Sequence, residues 1–547
     1  MGISRTLWRP VHSAYLRIVI SKLSLTFFAF STLYCIAQGV IQSFLINTDL
    51  GASNFVDAVL QEAQVPHVNV PWHTKHGNRT VLKICSDIPE TTSYETCTTV
   101  YDSEHQEINN NWTTPVGFRR ADVSYQPGIS LLTIPAGSAN AGTTMQAFRN
   151  STGAITGVAM NTPDGSSFLS EQCTRVLLYP HQVLRTSKRE EIILLVGQFW
   201  FFGISITALV FDSIPHLLAL LCMRVLETIW SSYTVWRTLD LRQRFQILLV
   251  DEGSPCQSDL FPRYFRTRLS FQIPDLILNF TGLICIIVLG WHLIKAFNNQ
   301  TFKRVGPPES VVRVYRFFLA HAVALHLSLF LMTAAMGLWA DQLHTGPIAN
   351  ISTHTKIYNA LFIFTVITLA PWCYMGSFAV RREMKLLMIL FFSICFIYIA
   401  CWSIMFYSQV YRWTWMQWPF FASMAIASFI VLIASGAFAV MCMLNFDKGL
   451  AHYLHVESVL AESDFQPEMF SNTAVNDVEN NPWINGPIRS LSQRSNKPDV
   501  SVDIDLQAPV RSLSLKKDES WDFADTKRPA IFVVELSSNE NFKAMSP

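Results

Sequence analysis

The feature that most constrains this chain is a polar stretch, 47–190, enclosed between apolar segments. One isolated apolar segment precedes it, and a dense run of apolar segments, 192–446, follows it. Half of the 547 residues are hydrophobic and only 15% are charged, against about a quarter in ordinary soluble domains. The layout predicts a multi-pass membrane protein with one sizeable domain outside the membrane.

The first apolar segment, 23–46, is long enough to cross the roughly 30 Å hydrocarbon core of a bilayer. A basic stretch, 1–22, precedes it and is expected in the cytosol. The competing interpretation is a cleaved signal peptide with a small-residue site at 35–37. Because the apolar run continues beyond that site, we expect an uncleaved signal anchor. Both interpretations translocate residues 47–190.

Seven further spans form the block 191–445. The second of them carries Arg224 and Glu227 near its middle, where charges are costly in lipid. The two residues are three apart, so a helix places them on one face and they could pair. An amphipathic helix on the membrane surface is the alternative. The seven segments are 192–211, 214–233, 274–296, 317–340, 357–380, 386–408 and 419–444.

Charge placement predicts the orientation. The short connection 381–385 carries three positive charges, which places it in the cytosol. The chain then ends in the cytosol, and 341–356 lies outside. Because residues 1–22 are also expected in the cytosol, the number of spans must be even. The segment 214–233 must therefore cross, and we expect eight spans with both termini cytosolic. Two observations disagree: Asn299 begins a sequon in a connection predicted cytosolic, and the basic connection 238–273 is placed outside.

The polar stretch 47–190 is expected to be a glycosylated, β-rich domain. Gly, Asn, Asp and Pro separate short runs that are typical of strands, at 81–84, 98–101, 129–134 and 175–179. Three sequons in this stretch predict glycosylation at Asn78, Asn111 and Asn150, and one sequon in the connection 341–356 predicts it at Asn350.

The polar stretch holds Cys85, Cys97 and Cys173, an odd number for an oxidising compartment. The predicted topology places Cys256 on the same side of the membrane. We favour a Cys85–Cys97 disulfide because the spacing suits neighbouring strands, and Cys173–Cys256 by elimination. Four cysteines allow three connectivities, and all three stay open at this point.

Ionisable residues at membrane depth are candidate functional groups. They include Arg224, Glu227, His321 and His326. The two histidines are five apart, about 140° around a helix, so this helix alone should not form a two-histidine metal site. The chain has no HExxH or CxxC motif, which disfavours metal hydrolase chemistry. We expect no cofactor, no metal and no catalytic activity.

An aromatic group precedes the last span. It is expected to form a belt at the membrane interface, where Tyr and Trp rings are enriched. Its members are Tyr411, Trp413, Trp415 and Trp418.

Beyond the last span, residues 446–462 are expected to form an amphipathic helix along the membrane. Residues 463–547 are rich in Ser, Asn, Asp and Pro, so we expect a disordered cytosolic tail. An Arg-Ser-Leu-Ser element occurs twice and makes Ser492 and Ser514 candidates for phosphorylation, which would alter the binding of cytosolic partners. Chance repetition in a Ser-rich segment is the alternative.

Four stretches resemble an uncharacterised, basidiomycete-type family of fungal multi-pass membrane proteins. They include Trp418–Phe421 and Leu444–Leu454, and they span about half of the chain. Asp447 stands where the family has Gly. The resemblance implies a membrane-embedded protein and names no activity. The other two stretches are Ser213–His216 and Val250–Gly253, the latter followed by Cys256 and Asp259-Leu260.

Two functions follow from these features. The leading hypothesis is a receptor-like or cargo-binding protein in the plasma membrane or the secretory pathway, whose domain 47–190 binds an extracellular or lumenal ligand. Its architecture is similar to that of lumenal-domain cargo receptors. The alternative is a transporter or channel that uses the intramembrane Arg, Glu and His side chains. The net charge of +1 leaves no basic excess for nucleic acid.

Overall fold

The computed structural model of the chain describes its central part. The four predicted glycosylation sites and the two phosphorylation candidates lie outside the described residues, as do most of the predicted juxtamembrane helix and all of the predicted tail. The described residues are 18–19, 21–66, 69–77, 79–88, 97–104, 132–133, 143–149, 155–162, 165–305, 309–345, 355–451 and 454.

Eight helices in the described residues are long and apolar enough to cross a membrane. This number agrees with the sequence prediction, and it includes the uncertain segment 214–233. The eight helices are α1 (Lys22–Glu62), α3 (Leu178–Val210), α4 (Ile214–Phe245), α5 (Tyr264–Val305), α6 (Glu309–Thr345), α7 (Thr355–Arg381), α8 (Lys385–Tyr407) and α10 (Pro419–Met443). Two shorter helices are α2 (Glu171–Val176) and α9 (Gln409–Gln417).

A small β region lies between α1 and α2. Its strands form a three-stranded antiparallel sheet, β1-β2-β3, and a four-stranded antiparallel sheet, β4-β5-β6-β7. The strands are β1 (Val70–His76), β2 (Arg79–Cys85), β3 (Cys97–Asp102), β4 (Leu132–Thr133), β5 (Thr144–Arg149), β6 (Ile155–Thr162) and β7 (Gly165–Ser170).

The strand predictions are confirmed at 81–84 and 98–101, which lie within β2 and β3. At 129–134 the structure describes only the two residues of β4. The prediction at 175–179 is wrong, because this segment is helical. Ser170 caps α2 by accepting a hydrogen bond from the backbone N–H of Cys173. A short apolar run buried on all sides has no periodicity that separates strand from helix.

The β region is joined to the membrane helices by continuous helices. Helix α1 continues beyond the predicted membrane boundary at 46, and α3 begins well before the one at 190. The extension of α1 enters the apolar core of the β region, where Phe55, Val59 and Leu60 are buried. Glu62 then accepts a hydrogen bond from the backbone N–H of Ala147 in β5, at 3.1 Å. The domain is therefore held in place by rigid elements.

Both favoured disulfides are present. Cys85 and Cys97 face each other across β2 and β3. Cys173 in α2 is bonded to Cys256, in the connection between α4 and α5. Near this bond, Tyr101 of β3 donates a hydrogen bond to the carbonyl of Ile247, at 3.4 Å. The connection between α4 and α5 therefore lies on the same side as the β region.

The aromatic group before α10 contacts the β region, so the predicted interfacial belt is wrong for its buried members. Trp72 of β1 meets Trp413 edge to face, with ring centroids 5.4 Å apart. Tyr411 and Trp418 are each only 1% exposed. Tyr411 packs against Trp339 of α6 and Phe421 of α10, and Trp418 packs against Phe421, so these two rings are buried among the helices.

The remaining connections alternate between the two ends of the bundle. At the β end, Arg185 of α3 donates a hydrogen bond to the carbonyl of Thr345, where α6 ends. At the opposite end, Glu383 accepts hydrogen bonds from the backbone N–H groups of Asp447 and Ala451. This alternation agrees with eight crossings.

The alternation predicts which native sequons become glycosylated. Asn350 follows the β end of α6, whereas Asn299 is close to the opposite end of α5. We expect a glycan on Asn350 and none on Asn299, because the charge placement in the sequence predicts that the β region lies outside the cytosol, where glycosylation takes place. The measurement is the gel mobility of Asn350→Gln and Asn299→Gln variants with and without endoglycosidase. A glycan that disappears in Asn299→Gln would contradict the arrangement.

A second prediction concerns pH and the contact between β1 and α3. His73 stacks on Tyr179, with ring centroids 5.2 Å apart. Burial lowers the pKa of His73 from 6.5 to about 4, and the positive charges of Arg244 and Lys75 lower it further against the opposing effect of Asp240. Between these two pH values the unfolded chain binds a proton that the folded chain excludes, so stability falls as the pH falls.

We therefore expect the thermal midpoint of the wild type to fall more steeply than that of His73→Gln between neutral pH and about pH 4. The midpoint of the purified protein, followed by tryptophan fluorescence across this range, checks the difference. Equal slopes for the two proteins would show that His73 does not contribute.

Candidate functional site

A stripe of polar residues runs along the face of α1 that packs against α3 and α5. Tyr34, Gln38, Gln42 and Asp49 follow one another at intervals of four, four and seven residues, which a helix places on one side. Each is at most 4% exposed. The stripe extends about 22 Å along the helix axis at 1.5 Å per residue.

Helix α5 presents a matching stripe. Arg268, Gln272, Asp275 and Asn279 are separated by four, three and four residues and are all buried. The two helices approach closely at Gly282, because a Cβ at this position would overlap the ring of Tyr34. The close approach lets polar side chains of α1 and α5 reach each other directly.

The two stripes, together with the buried charged residues of α3 and α4 that contact them, form a polar column. Its innermost group surrounds Arg224, at mid-span in α4. Arg224 is paired with Glu227 at 2.8 Å, which confirms the pairing that the sequence suggested. It also donates a hydrogen bond to the amide oxygen of Gln198, at 2.7 Å. Its guanidinium lies over the rings of Tyr34 and Phe201, 4.3 and 4.7 Å from their centroids. This burial within the bundle excludes the alternative of a surface helix for α4.

Asp275 is the centre of the next group. It accepts hydrogen bonds from Ser231 at 2.7 Å and Asn279 at 3.0 Å, and a third from Gln38. Tyr34 donates to Asn279 at 2.7 Å, which links this group to the Arg224 group. The carboxylate of Asp275 is thus held by neutral donors, with no arginine among the partners that the structure describes.

The outermost groups lie where the helices meet the β region. Arg268 is paired with both Asp49 and Glu191, the latter at 3.0 Å. On the neighbouring face, Arg237 is paired with Glu190 at 2.8 Å. Each arginine ties helices that are distant in the sequence.

Glu190 has a further partner beyond Arg237. It accepts a hydrogen bond from the indole N–H of Trp418 at 2.7 Å. This bond links the polar column to the start of α10. Trp418, which the sequence predicts to lie in a belt at the membrane interface, therefore helps to hold a buried carboxylate.

Acidic groups outnumber basic groups in the polar column. Its arginines are Arg224, Arg237 and Arg268, so five acids face three arginines; Arg268 is shared by two of the acids, and Asp275 has no arginine partner among the described residues. Buried carboxylates at membrane depth are costly and are typical of proton relays and ion pathways. The five acids are Asp49, Glu190, Glu191, Glu227 and Asp275.

A small cavity opens inside the column, between the Arg224 and Arg268 groups. It has room for about one water molecule. Its described lining contains Glu191, Glu227 and Asp275, and no lysine or arginine. The cavity is therefore an acidic, enclosed space at membrane depth.

The column stops at an apolar cluster in the other half of the membrane. Phe27 of α1, Phe201 of α3 and Met223 of α4 are among its buried members, each at most 5% exposed. This cluster lies beyond Arg224, toward the connection between α3 and α4. Polar groups thus run from the β end to mid-span, and packed apolar side chains separate them from the opposite end.

The two histidines singled out from the sequence lie outside the column and apart from each other. His321 contacts the backbone carbonyl of Ser435 at 3.2 Å. His326 meets His216 of α4, with their Nε2 atoms 3.1 Å apart. Within the described residues, no three His, Cys, Asp or Glu side chains converge on a metal position.

Sequence reasoning found Arg224 and Glu227 but missed the other members of the column. The signal is present in the spacing, since Gln38 and Gln42 follow Tyr34 on one face of the segment predicted to be an apolar span, and Asp49 continues that face just beyond its predicted end at 46. The predicted boundary separates Glu190, the last residue of the polar domain 47–190, from Glu191, the first residue of the block 191–445, and neither residue is among the candidate functional groups predicted from the sequence.

We predict that the Arg224–Glu227 pair is strongly coupled. Arg224→Met or Glu227→Leu alone leaves one buried charge unpaired, which costs about 3–5 kcal/mol. The double variant removes both charges and should lose less than the sum of the two single losses. Unfolding free energies of the purified proteins in mixed detergent micelles measure the coupling.

The matched control is the exposed pair Arg175–Glu171, at 2.7 Å and with the same two side-chain types. Its coupling should be below about 1 kcal/mol. Equal coupling energies for the two pairs would contradict a buried, desolvated pair in α4.

Comparison with protein-family models, with curated proteins and with solved structures found no match. The resemblance to a fungal family therefore stays a prediction. The eight long apolar helices are the evidence for assigning the chain as a multi-pass membrane protein.

Proposed function

We propose that this protein transports protons or a small cation through the polar column in α1, α3, α4 and α5. The observation that carries the proposal is the set of five buried carboxylates faced by only three arginines, between mid-span and the β end of the helices. Such an excess favours uptake of positive charge, because an unpaired carboxylate in a low dielectric is stabilised by a proton or a cation.

The shape of the column supports the proposal. The polar groups reach from the β end to Arg224, and the apolar cluster with Phe27 and Phe201 blocks the rest of the path. In this conformation the column faces the β region. Passage of a cation would require the apolar cluster to open toward the other side, as in alternating access.

The β region has a supporting role in this proposal. It covers the β end of the helices and is held there by α1, α3 and the Cys173–Cys256 bond. We place it outside the cytosol, in the extracellular space or the lumen, with both termini in the cytosol, following the positive charges of 381–385. We assign the protein no catalytic step.

A receptor-like function is the second candidate. The observation that favours it is the rigid junction, in which α1 and α3 pass without interruption from the membrane into the core of the β region. A ligand that shifts the β region would shift these helices as well. In that case the polar column holds the helices together and conducts nothing.

The decisive experiment reconstitutes the full chain into liposomes under a proton, Na⁺ or K⁺ gradient. We expect a protein-dependent flux that falls at least about tenfold in Asp275→Asn and Glu227→Gln, an effect of the size of one lost charge interaction of about 1.4 kcal/mol. Glu171→Gln, in the solvent-accessible Arg175–Glu171 pair of α2, is the matched control and should keep the wild-type flux.

Only variants with the wild-type elution profile enter this comparison, and their flux is expressed per amount of folded protein. Absence of flux in the wild type under all three gradients would reject transport and leave the receptor-like function. Unchanged flux in folded Asp275→Asn and Glu227→Gln would reject the column as the path.

A further inference from the structure

The cavity in the polar column has two lining glutamines with unused hydrogen-bonding atoms. Gln272 of α5 is 3% exposed, and neither atom of its amide has a partner among the described residues. Gln42 of α1 is 2% exposed, and its amide oxygen is likewise unpartnered. Buried amide groups without partners are costly, so the cavity is suited to a ligand that the amide oxygens can bind.

We propose that this cavity binds a dehydrated alkali cation, Na⁺ or K⁺. The ligands are the amide oxygens of Gln42 and Gln272 and the carboxylate of Asp275, with the hydroxyl of Ser231 beside them. Oxygen donors of this kind replace the hydration shell of hard cations in proteins. The inference rests on the proposed function. It names the transported cation and its binding site along the path.

The charges around the cavity select a cation over an anion. Three carboxylates line it, those of Glu191, Glu227 and Asp275, and no lysine or arginine does so among the described residues. Glu191 and Glu227 are already engaged by Arg268 and Arg224, so Asp275 supplies the free negative charge. An anion in the cavity would be repelled by these three carboxylates.

The same geometry disfavours a divalent cation. No group of three His, Cys, Asp or Glu side chains suited to a metal occurs in the described residues. One free carboxylate with neutral oxygens balances a single positive charge. The space, about that of one water molecule, also fits a single cation stripped of its water.

The test measures the thermal midpoint of the full chain in detergent as NaCl or KCl replaces choline chloride at constant ionic strength. We expect a saturable rise of roughly 2–5 °C with one or both ions, as mass action requires of a ligand that binds only the folded state. Separate Na⁺ and K⁺ titrations identify the preferred ion. The absence of a rise with either ion would overturn the inference.

Substitutions locate the site. Asp275→Asn and Gln272→Leu should abolish the rise, whereas Gln272→Glu, which keeps an oxygen and adds a charge, should enlarge it. Gln342→Leu is the matched control, because Gln342 is a buried glutamine outside this cavity and its loss should leave the rise intact. A rise that persists unchanged in Asp275→Asn and Gln272→Glu would place the cation elsewhere and overturn the inference.

The outcomes separate this inference from the proposed transport. A cation-dependent rise without flux in liposomes keeps the binding site and rejects transport. A proton flux without any effect of Na⁺ or K⁺ keeps transport and rejects the alkali cation, since water alone would then occupy the cavity.

Discussion

The shared ion pair of Arg268 with Asp49 and Glu191 is the interaction on which much of this structure depends. It joins α5 to α1 and α3 at the end of the membrane block that carries the β region. A buried charge without a partner would cost several kcal/mol, so these helices must stay together once the three side chains leave water. The adjacent pair of Arg237 with Glu190 adds α4 in the same way.

This constraint explains why one half of the helix block is polar inside and the other is not. Helices α6, α7, α8 and α10 pack through a core of large apolar side chains that includes Trp339 and Trp372. Association of apolar helices in lipid relies on such close packing. The carboxylates of the polar half are costly to bury, and ionisable groups inside a membrane bundle are typically functional. We therefore place the function in the polar half.

Much of the fold could be predicted from the sequence. The apolar runs located all eight helices, since only a run of about 20 residues crosses a bilayer, and parity of the crossings put Cys256 beside Cys173. The strand predicted at 175–179 failed because an apolar run buried on every side carries no period. The polar column was missed because Gln38 and Asp275 are single polar residues in apolar segments, and only packing shows that they meet.

The sequence by itself determined that this is a membrane protein, how many helices it has, and which cysteines share a compartment, because these depend on segment length and on charge near the membrane. Only the tertiary structure decided that Arg224, Asp275 and Arg268 belong to one column with a cavity inside it. Asp275 and Arg268 each have a partner on α1, more than two hundred residues away in the sequence. Contacts at such separation depend on helix packing, which local composition does not encode.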